Sequence, residues 1–534
     1  LKIATFAPIC DIIDCKVIIC LKYKKLAFPI LQIWRFGMYY KKAVEQYNFF
    51  NFNQGFGFPI DTNNRWVKLA GTIPWDEAEK LYAENFTDET GAPSIPFRTA
   101  LGALMIREIL SLSDRATVKA IQENPYLQYF LGVPKYTAEP LFHPSLMVQF
   151  RKRISLEDLK EINEITINFK KKLESKSDNE TVDSNLPSIN STANTSGINP
   201  DVSDQKTNEF SMDQDFFEAA RKTYNTSDLP KGLTSLKNHG TLIIDATCCP
   251  VNIRFPQDYS LLYEAHTHLD GIITRICFDN NVSKPRTYPV VLRNAYLDIA
   301  KAKKKGVKKL RKFINKILNA VNRDLRYIDD LISQGYFPAG KDLETISVIR
   351  QIYDQQKYMY DNNTHKVDNK IVSIFMPFIR PIVRGKTDKP VEFGPKIDVS
   401  LDSEGYAHLE KLSYDAYNEG SYLKDAIAAY VERHGCFPEK VLADQIYQTK
   451  DNRLYCQQFN ITMTGKPLGK KASADWKPTH EFAQDAKDRI GIEREFSRDK
   501  HCFGLEKILE KTAETVKNTV ALGIFLGNVI PYGF

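Results

Sequence analysis

The sequence predicts an α/β protein, a mixed β-sheet flanked by helices, with an N-terminal all-α domain and a helical insertion. Three observations carry this. Two short apolar runs end in aspartate, Leu242-Ile243-Ile244-Asp245 and Val441-Leu442-Ala443-Asp444, and read as central, doubly buried strands. Between them Ile397, Val399 and Leu401 alternate with Asp398, Ser400 and Asp402, which predicts a half-buried strand. Elsewhere apolar residues recur at spacings of three and four, the rhythm of a helix that buries one face.

The all-α part spans about 61–172. Phe97, Leu101, Leu104, Met105, Ile109 and Leu112 predict one buried helix face. Asn124-Pro125 stops one helix and starts the next, and His143-Pro144-Ser145 opens another that carries Arg151, Lys152 and Arg153. A compact helical unit with a basic end suits docking on duplex DNA, with Arg151 and Arg153 as candidate contacts, and equally suits a bundle that only packs. From Glu174 to Met212 the chain turns to Ser, Asn, Asp and Thr, so 173–215 is expected to be a disordered linker.

The sheet domain is expected to occupy 216–299 and 371–534. Ser403-Glu404-Gly405 predicts a hairpin turn, Ser421 to His434 a helix stopped by Gly435, and Phe459 to Met463 a fifth strand. The last long helix should begin near His480. Between the two parts, 300–370 has a helical rhythm and reads as the insertion, since so long a structureless loop is improbable. Residues 301 to 326 hold eleven Lys/Arg against one acid, Asp324. That imbalance exceeds what a solvated helix face needs and points to phosphate contact, with Lys304, Lys308 and Arg311 as candidates.

The chain has 534 residues, enough for two to four domains, and a net charge of +7 that suits a polyanionic partner without establishing one. Its nine cysteines form no Cys-x2-Cys pair or zinc spacing, so they are expected to be reduced thiols in a cytoplasmic protein. The first 60 residues read as a leader, expected to be non-native. Asp11, Asp14 and Lys16 interrupt its apolar stretch and disqualify it as a comfortable membrane span.

Carboxylates at the ends of strands project into a common crevice, and neighbouring ionised acids call for a cation; Mg²⁺ suits an all-oxygen site. In the final helix Arg489, Glu493 and Lys500 are four and seven residues apart and share one face, while Glu495 points away. Asp245, Asp444 and Glu493 are therefore the candidate catalytic and metal-holding residues. Arg489 and Lys500, with Lys466, Lys470 and Lys471 of the loop before that helix, are candidate DNA contacts. His266 and His268 lack further ligands for a metal, Cys248 and Cys249 lack a basic partner and read as core, and Tyr447 and Trp476 are weak candidates for stacking on bases.

The order Asp245, Asp444, Glu493 resembles the DDE transposases of bacterial insertion sequences, in the branch whose final helix carries Tyr-x2-Arg-x3-Glu-x6-Lys. The similarity extends to Arg380-Pro381-Ile382-Val383-Arg384-Gly385-Lys386, Val391-Glu392-Phe393-Gly394-Pro395-Lys396, Leu412-Ser413-Tyr414-Asp415-Ala416-Tyr417-Asn418-Glu419 and Gly465-Lys466-Pro467-Leu468-Gly469. Two positions depart from it: Ala486 stands where the signature has tyrosine, and Ile446-Tyr447 where Gly-Tyr commonly follows the second aspartate. The resemblance implies a ribonuclease H-like fold and two Mg²⁺ ions, with Mn²⁺ able to substitute. It also implies metal-dependent cleavage and strand transfer at the ends of a mobile element, on double-stranded DNA, by a homodimer. Two other readings stay open: a decayed or repurposed copy that binds DNA without cutting, and an unrelated ribonuclease H-like nuclease that cuts without joining.

Overall fold

Local capping sets the punctuation of the N-terminal helices. The computed structural model describes residues 60–84, 94–182, 237–304, 306–383, 391–469, 477–532 and 534. The chain divides into two compact units, Leu1–Glu180 with Val529–Phe534, and Thr181–Asn528.

In the first unit, helices α1 (Arg65–Ala70), α2 (Trp75–Glu84), α3 (Phe97–Ile109), α4 (Asp114–Glu123), α5 (Pro125–Phe130), α6 (Leu146–Arg153) and α7 (Leu156–Val182) follow in order. The Ser113 hydroxyl accepts from the Ala116 N–H and opens α4. Asn124 closes α4 in an extended conformation and caps α5, whose first residue is Pro125, as its sequence foretold. Phe97, Leu101, Met105, Phe130 and Phe150 are all fully buried. Helix α7 runs to Val182, past Glu174 where the linker was expected to begin, because Glu-Ser-Lys-Ser still has no helix breaker. The remainder of that linker, and the leader, lie outside the described residues.

In the second unit β1 (Thr241–Cys248) is followed by helices α8 (Asp258–Asp279), α9 (Pro289–Ala300), α10 (Val307–Ser333) and α11 (Gly340–Asp361). Then come β2 (Pro381–Val383), β3 (Val391–Phe393), β4 (Lys396–Leu401), β5 (Ala407–Ser413), α12 (Leu423–His434), β6 (Lys440–Ala443), α13 (Lys450–Gln458), α14 (His480–Cys502) and α15 (Ala513–Val529). The main sheet has the order β5-β4-β1-β6, with β1 antiparallel to β4 and parallel to β6; β2 and β3 form a separate ribbon.

Four expectations need correction. The first strand does not run out at Asp245 but continues to Cys248, because β4 keeps pairing with it after β6 has stopped. Strand β4 is buried at every position, since its polar residues meet partners in the core. No fifth strand forms at Phe459–Met463, where Phe459 caps α13 and Thr462 makes a single bridge to Lys440. The inserted bundle begins at α8, before residue 300: Leu262, Leu269 and Ile273 of α8 share one core with Ile317 and Val321 of α10 and Ile349 of α11.

The two faces of the main sheet are covered differently. Leu242 and Ile244 of β1, with Val441 and Ala443 of β6, pack on α12 and α13. The opposite face receives α14: its Lys500 ammonium donates to the Thr247 hydroxyl at 2.7 Å, and its Asp485 binds the Lys440 ammonium at 2.9 Å. Gly435, at φ +71°, ends α12 in the left-handed region that favours glycine. Among the described residues no helix is long and apolar enough to cross a membrane.

Gly394 explains one of the long sequence strings. The chain leaving β1 crosses it so closely that an added Cβ would overlap the Cys249 carbonyl, and flanking bonds (Cys249 N–H to Pro395 O at 3.0 Å, Val251 N–H to Phe393 O at 2.8 Å) hold both segments. Backbone cannot rotate away as a side chain can. Gly394→Ala is expected to lower unfolding stability by about 1–3 kcal/mol in chemical denaturation; an unchanged midpoint would show that the crossing is loose.

Candidate active site

Strand register brings the two aspartates together. The last β1–β6 pair is Ile244 with Ala443, so Asp245 and Asp444 are the next residues on adjacent parallel strands, whose spacing is about 4.8 Å. Alternation turns both toward the face that α14 covers. Asp245 sits in the middle of its strand and is largely buried, its Oδ1 accepting from the Ala246 N–H at 2.8 Å. Asp444 lies one residue past the end of β6, half exposed, and caps the short turn Gln445–Tyr447 through the Gln445 N–H.

Helix α14 supplies the rest. Arg489 lies between Asp444 and Glu493, 3.8 Å from a carboxylate oxygen of each. The side chains of Asp444 and Glu493 are each 56% exposed and open to a ligand. Lys500 reaches the same face of β1 at Thr247, two residues beyond Asp245. Thus Asp245, Asp444, Arg489, Glu493 and Lys500 gather on one side of one sheet. Among the described residues, however, no group of three or more His, Cys, Asp or Glu is drawn close enough to hold a metal ion. Arg489 is the side chain that stands between Asp444 and Glu493.

Burial pushes the Asp245 carboxyl up to about 6, and neighbouring Asp444 adds to the rise; the Ala246 N–H and Arg489 pull the other way. Glu495 faces away, as its helical position requires, and with Asp499 packs against Gly527 of α15. Burial, with Glu495 beside it, raises the Asp499 carboxyl well above the usual range.

Ala486 lines a cavity of about 150 Å³ beside Asp444 and Arg489, walled also by Gln448, Lys466 and Phe482. The side chain missing from the tyrosine position thus leaves space next to the acids. Tyr447 is fully buried and cannot stack on bases; Lys470, Lys471 and Trp476 lie outside the described residues. His266 is committed to Asp324 at 2.5 Å inside the bundle, and His268 only approaches Glu264 at 4.0 Å. Cys248 and Cys249 are core, and burial raises the Cys249 thiol.

The outlying basic candidates differ in availability. Lys304 and Lys308 are exposed. Arg311 is exposed too, but its guanidinium donates to the Tyr360 carbonyl and Asn363 and lies 4.2 Å over the Tyr360 ring. Arg151 is a correction: it grips both oxygens of Asp114 at 2.9 and 2.7 Å and ties α6 to α4, so it is an internal clamp. Arg153 is turned toward the buried Tyr82 hydroxyl. Sequence reasoning missed Thr247 and Asp398, whose alternation with apolar neighbours gave no hint of their partners.

Comparison with known proteins finds two family matches. Residues 58–153 match the family described as "Transposase domain (DUF772)", and residues 441–528, from β6 through α15, match the family described as "Transposase DDE domain". The chain therefore carries two transposase domains. Both matches are to transposase families and support an insertion-sequence DDE transposase. Over 103 residues it is 32% identical to "Uncharacterized protein ORF8 in nfe locus" of Rhizobium meliloti, a match that covers 19% of this chain and about half (49%) of that protein. No solved structure matches.

A buried acid whose carboxyl is raised favours the protonated fold. Between its ordinary value near 4 and its folded value near 6, the unfolded chain releases the proton and the native chain keeps it, so stability falls as pH rises. In chelator-containing buffer Asp245→Asn is expected to gain stability relative to the parent between pH 4 and pH 7, by on the order of 2 kcal/mol. Denaturation curves of both proteins across that range check it; parallel pH profiles would contradict the burial of Asp245.

Proposed function

We propose that this protein cuts double-stranded DNA at the ends of an insertion sequence and joins the freed ends to target DNA, on a ribonuclease H-like catalytic domain. The observation that carries the reading is the pairing of Asp245 with Asp444 on adjacent strands, opposite the helix that brings Arg489, Glu493 and Lys500. The donor set is all oxygen, and a desolvated carboxylate beside a second acid is an environment that a divalent cation stabilises; these residues fit Mg²⁺ or Mn²⁺. Asp245 and Asp444 would hold it, joined by Glu493 once Arg489 turns from the acids to a DNA phosphate. When bound, two such ions lower the pKa of the attacking water or 3′-hydroxyl and neutralise the departing oxygen.

The chain's own residues do the positioning. Arg489 has the fork that grips a phosphate by two parallel bonds, and Lys500, steadied by Thr247, presents a point charge on the same face. In the first reaction water adds to the phosphorus and the P–O3′ bond breaks, freeing a 3′-hydroxyl. In the second that oxygen bonds to a target phosphorus and displaces the target's own 3′-oxygen. No oxidant or covalent enzyme intermediate is required.

We assign DNA docking to the helical unit at 61–172 and phosphate contact to the exposed start of α10, where Lys308, Lys312 and Lys316 repeat every fourth residue. Two chains, one for each element end, are the expected assembly. The second reading, binding without cutting, is favoured by Arg489 lying between Asp444 and Glu493.

One assay separates the two. Purified protein with Mg²⁺ and oligonucleotides bearing the element's ends should yield nicked and joined products; Asp245→Asn and Asp444→Asn should each lower the rate at least about a thousandfold with DNA affinity kept. Chelation should do the same. Binding with no metal-dependent product in the parent protein would establish the second reading, and undiminished cutting by Asp245→Asn would overturn the first.

Replacing Lys308, Lys312 and Lys316 together by Gln should reduce the slope of log affinity against log salt by about 3, roughly one per phosphate contact. A slope unchanged in filter-binding titrations would remove α10 from the DNA interface.

A further inference from the structure

The sheet carries another acid on its far side. Asp398 of β4 pairs with Ala246, the neighbour of Asp245, and is fully buried. By alternation its side chain faces away from α14, into the core where α12 and α13 pack. There the Tyr447 hydroxyl donates to its Oδ1 at 3.1 Å. Tyr447 is the last residue of the turn that Asp444 caps, and it has no exposed surface.

The same turn has two further restraints on this face, while on the α14 side Asp444 and Gln445 border the cavity beside Ala486 and Arg489. The Asn452 amide donates to the carbonyls of Tyr447 and Gly420, at 2.7 and 2.6 Å. Gly420 lies against the Ile446 carbonyl so closely that a Cβ there would overlap it. Asp398 is itself set among Tyr417, whose ring lies 4.6 Å from the Lys396 ammonium, and Glu419, which pairs with that ammonium at 2.6 Å. Asp444, Gln445 and Ile446 are exposed, and besides the Gln445 N–H and Arg489 at 3.8 Å the buried anchor of this turn is Tyr447, whose fastening bears on the direction of the Asp444 carboxylate.

We propose that Asp398 is a positioning residue for the candidate metal centre: from the opposite face of the sheet it holds Tyr447, and through that turn it sets Asp444 beside Asp245. The inference rests on the reading of Asp245 and Asp444 as metal-holding residues. The link works through a hydrogen bond that an amide accepts as well as a carboxylate. Loss of the acceptor or of the phenol hydroxyl releases the turn; exchange of Asp for Asn does not.

The test is Mn²⁺ binding to the full chain without DNA, by titration calorimetry, with circular dichroism to verify folding. Tyr447→Phe and Asp398→Leu should each weaken Mn²⁺ binding by about ten- to hundredfold, the usual effect of losing a residue that orients a ligand, whereas Asp398→Asn should remain within about threefold of the parent. Tyr447→Phe removes one oxygen atom and leaves the ring in the core, so it stays informative if Asp398→Leu does not fold. Parent-like binding by folded Tyr447→Phe, or a loss in Asp398→Asn as large as in Asp398→Leu, would overturn the link. Parent protein that binds no Mn²⁺, or Asp245→Asn that binds it undiminished, would instead overturn the metal-centre reading beneath it.

Discussion

Two carboxylates on adjacent parallel strands repel each other, and the second unit's chemistry depends on what answers that repulsion. Here a guanidinium from α14 reaches Asp444 and lowers the charge felt by Asp245, while burial of Asp245 is met by holding its carboxyl near 6. Asp444 is exposed, whereas Asp245 is only partly so. In the function proposed above, this pair would exchange its organic cation for divalent metal when a phosphate draws Arg489 away.

Several layers keep that geometry fixed. β6 ends at Ala443, so Asp444 is free of the ladder and can cap a turn, whereas β1 runs on to Cys248 and fixes Asp245 within the sheet. Helix α14 is fastened at both ends, by Lys440 to Asp485 and by Lys500 to Thr247, with Ile492 buried between. The far helix α15 is held to the sheet edge by Asn528, whose amide both donates to and accepts from the backbone of Ala407 at 2.7 Å. A strand thus carries Asp245 and a helix carries Arg489, Glu493 and Lys500, which favours precise placement over loop-borne sites, while Asp444 sits at the end of a strand.

Much of this was legible in the sequence because its signals are local. Leu242–Asp245 and Val441–Asp444 announce buried strands by composition alone, and the spacing of Arg489, Glu493 and Lys500 fixes their common helix face. What was hidden depends on partners far along the chain. Asp398 and Ser400 look like the wet face of a strand, yet they meet Tyr447 and Glu410 in the interior. Arg151 looks like a DNA contact until Asp114 is placed beside it, and α8 joins the inserted bundle because its apolar stripe fits α10, a match no single window contains. Asp324, the one acid of the basic run, is buried between His266 and Arg323 in the middle of α10, so it leaves Lys308, Lys312 and Lys316 at the exposed start without a neighbouring acid from that run.

The central claim is that Asp245, Asp444 and Glu493 converge on divalent metal. Anomalous scattering from Mn²⁺ in crystals of the protein with element-end DNA measures this most directly. The account requires a manganese peak bonded to oxygens of Asp245 and Asp444, with Glu493 joining the site and Arg489 turned to a phosphate. Manganese bound elsewhere, with Arg489 still between Asp444 and Glu493, would contradict it.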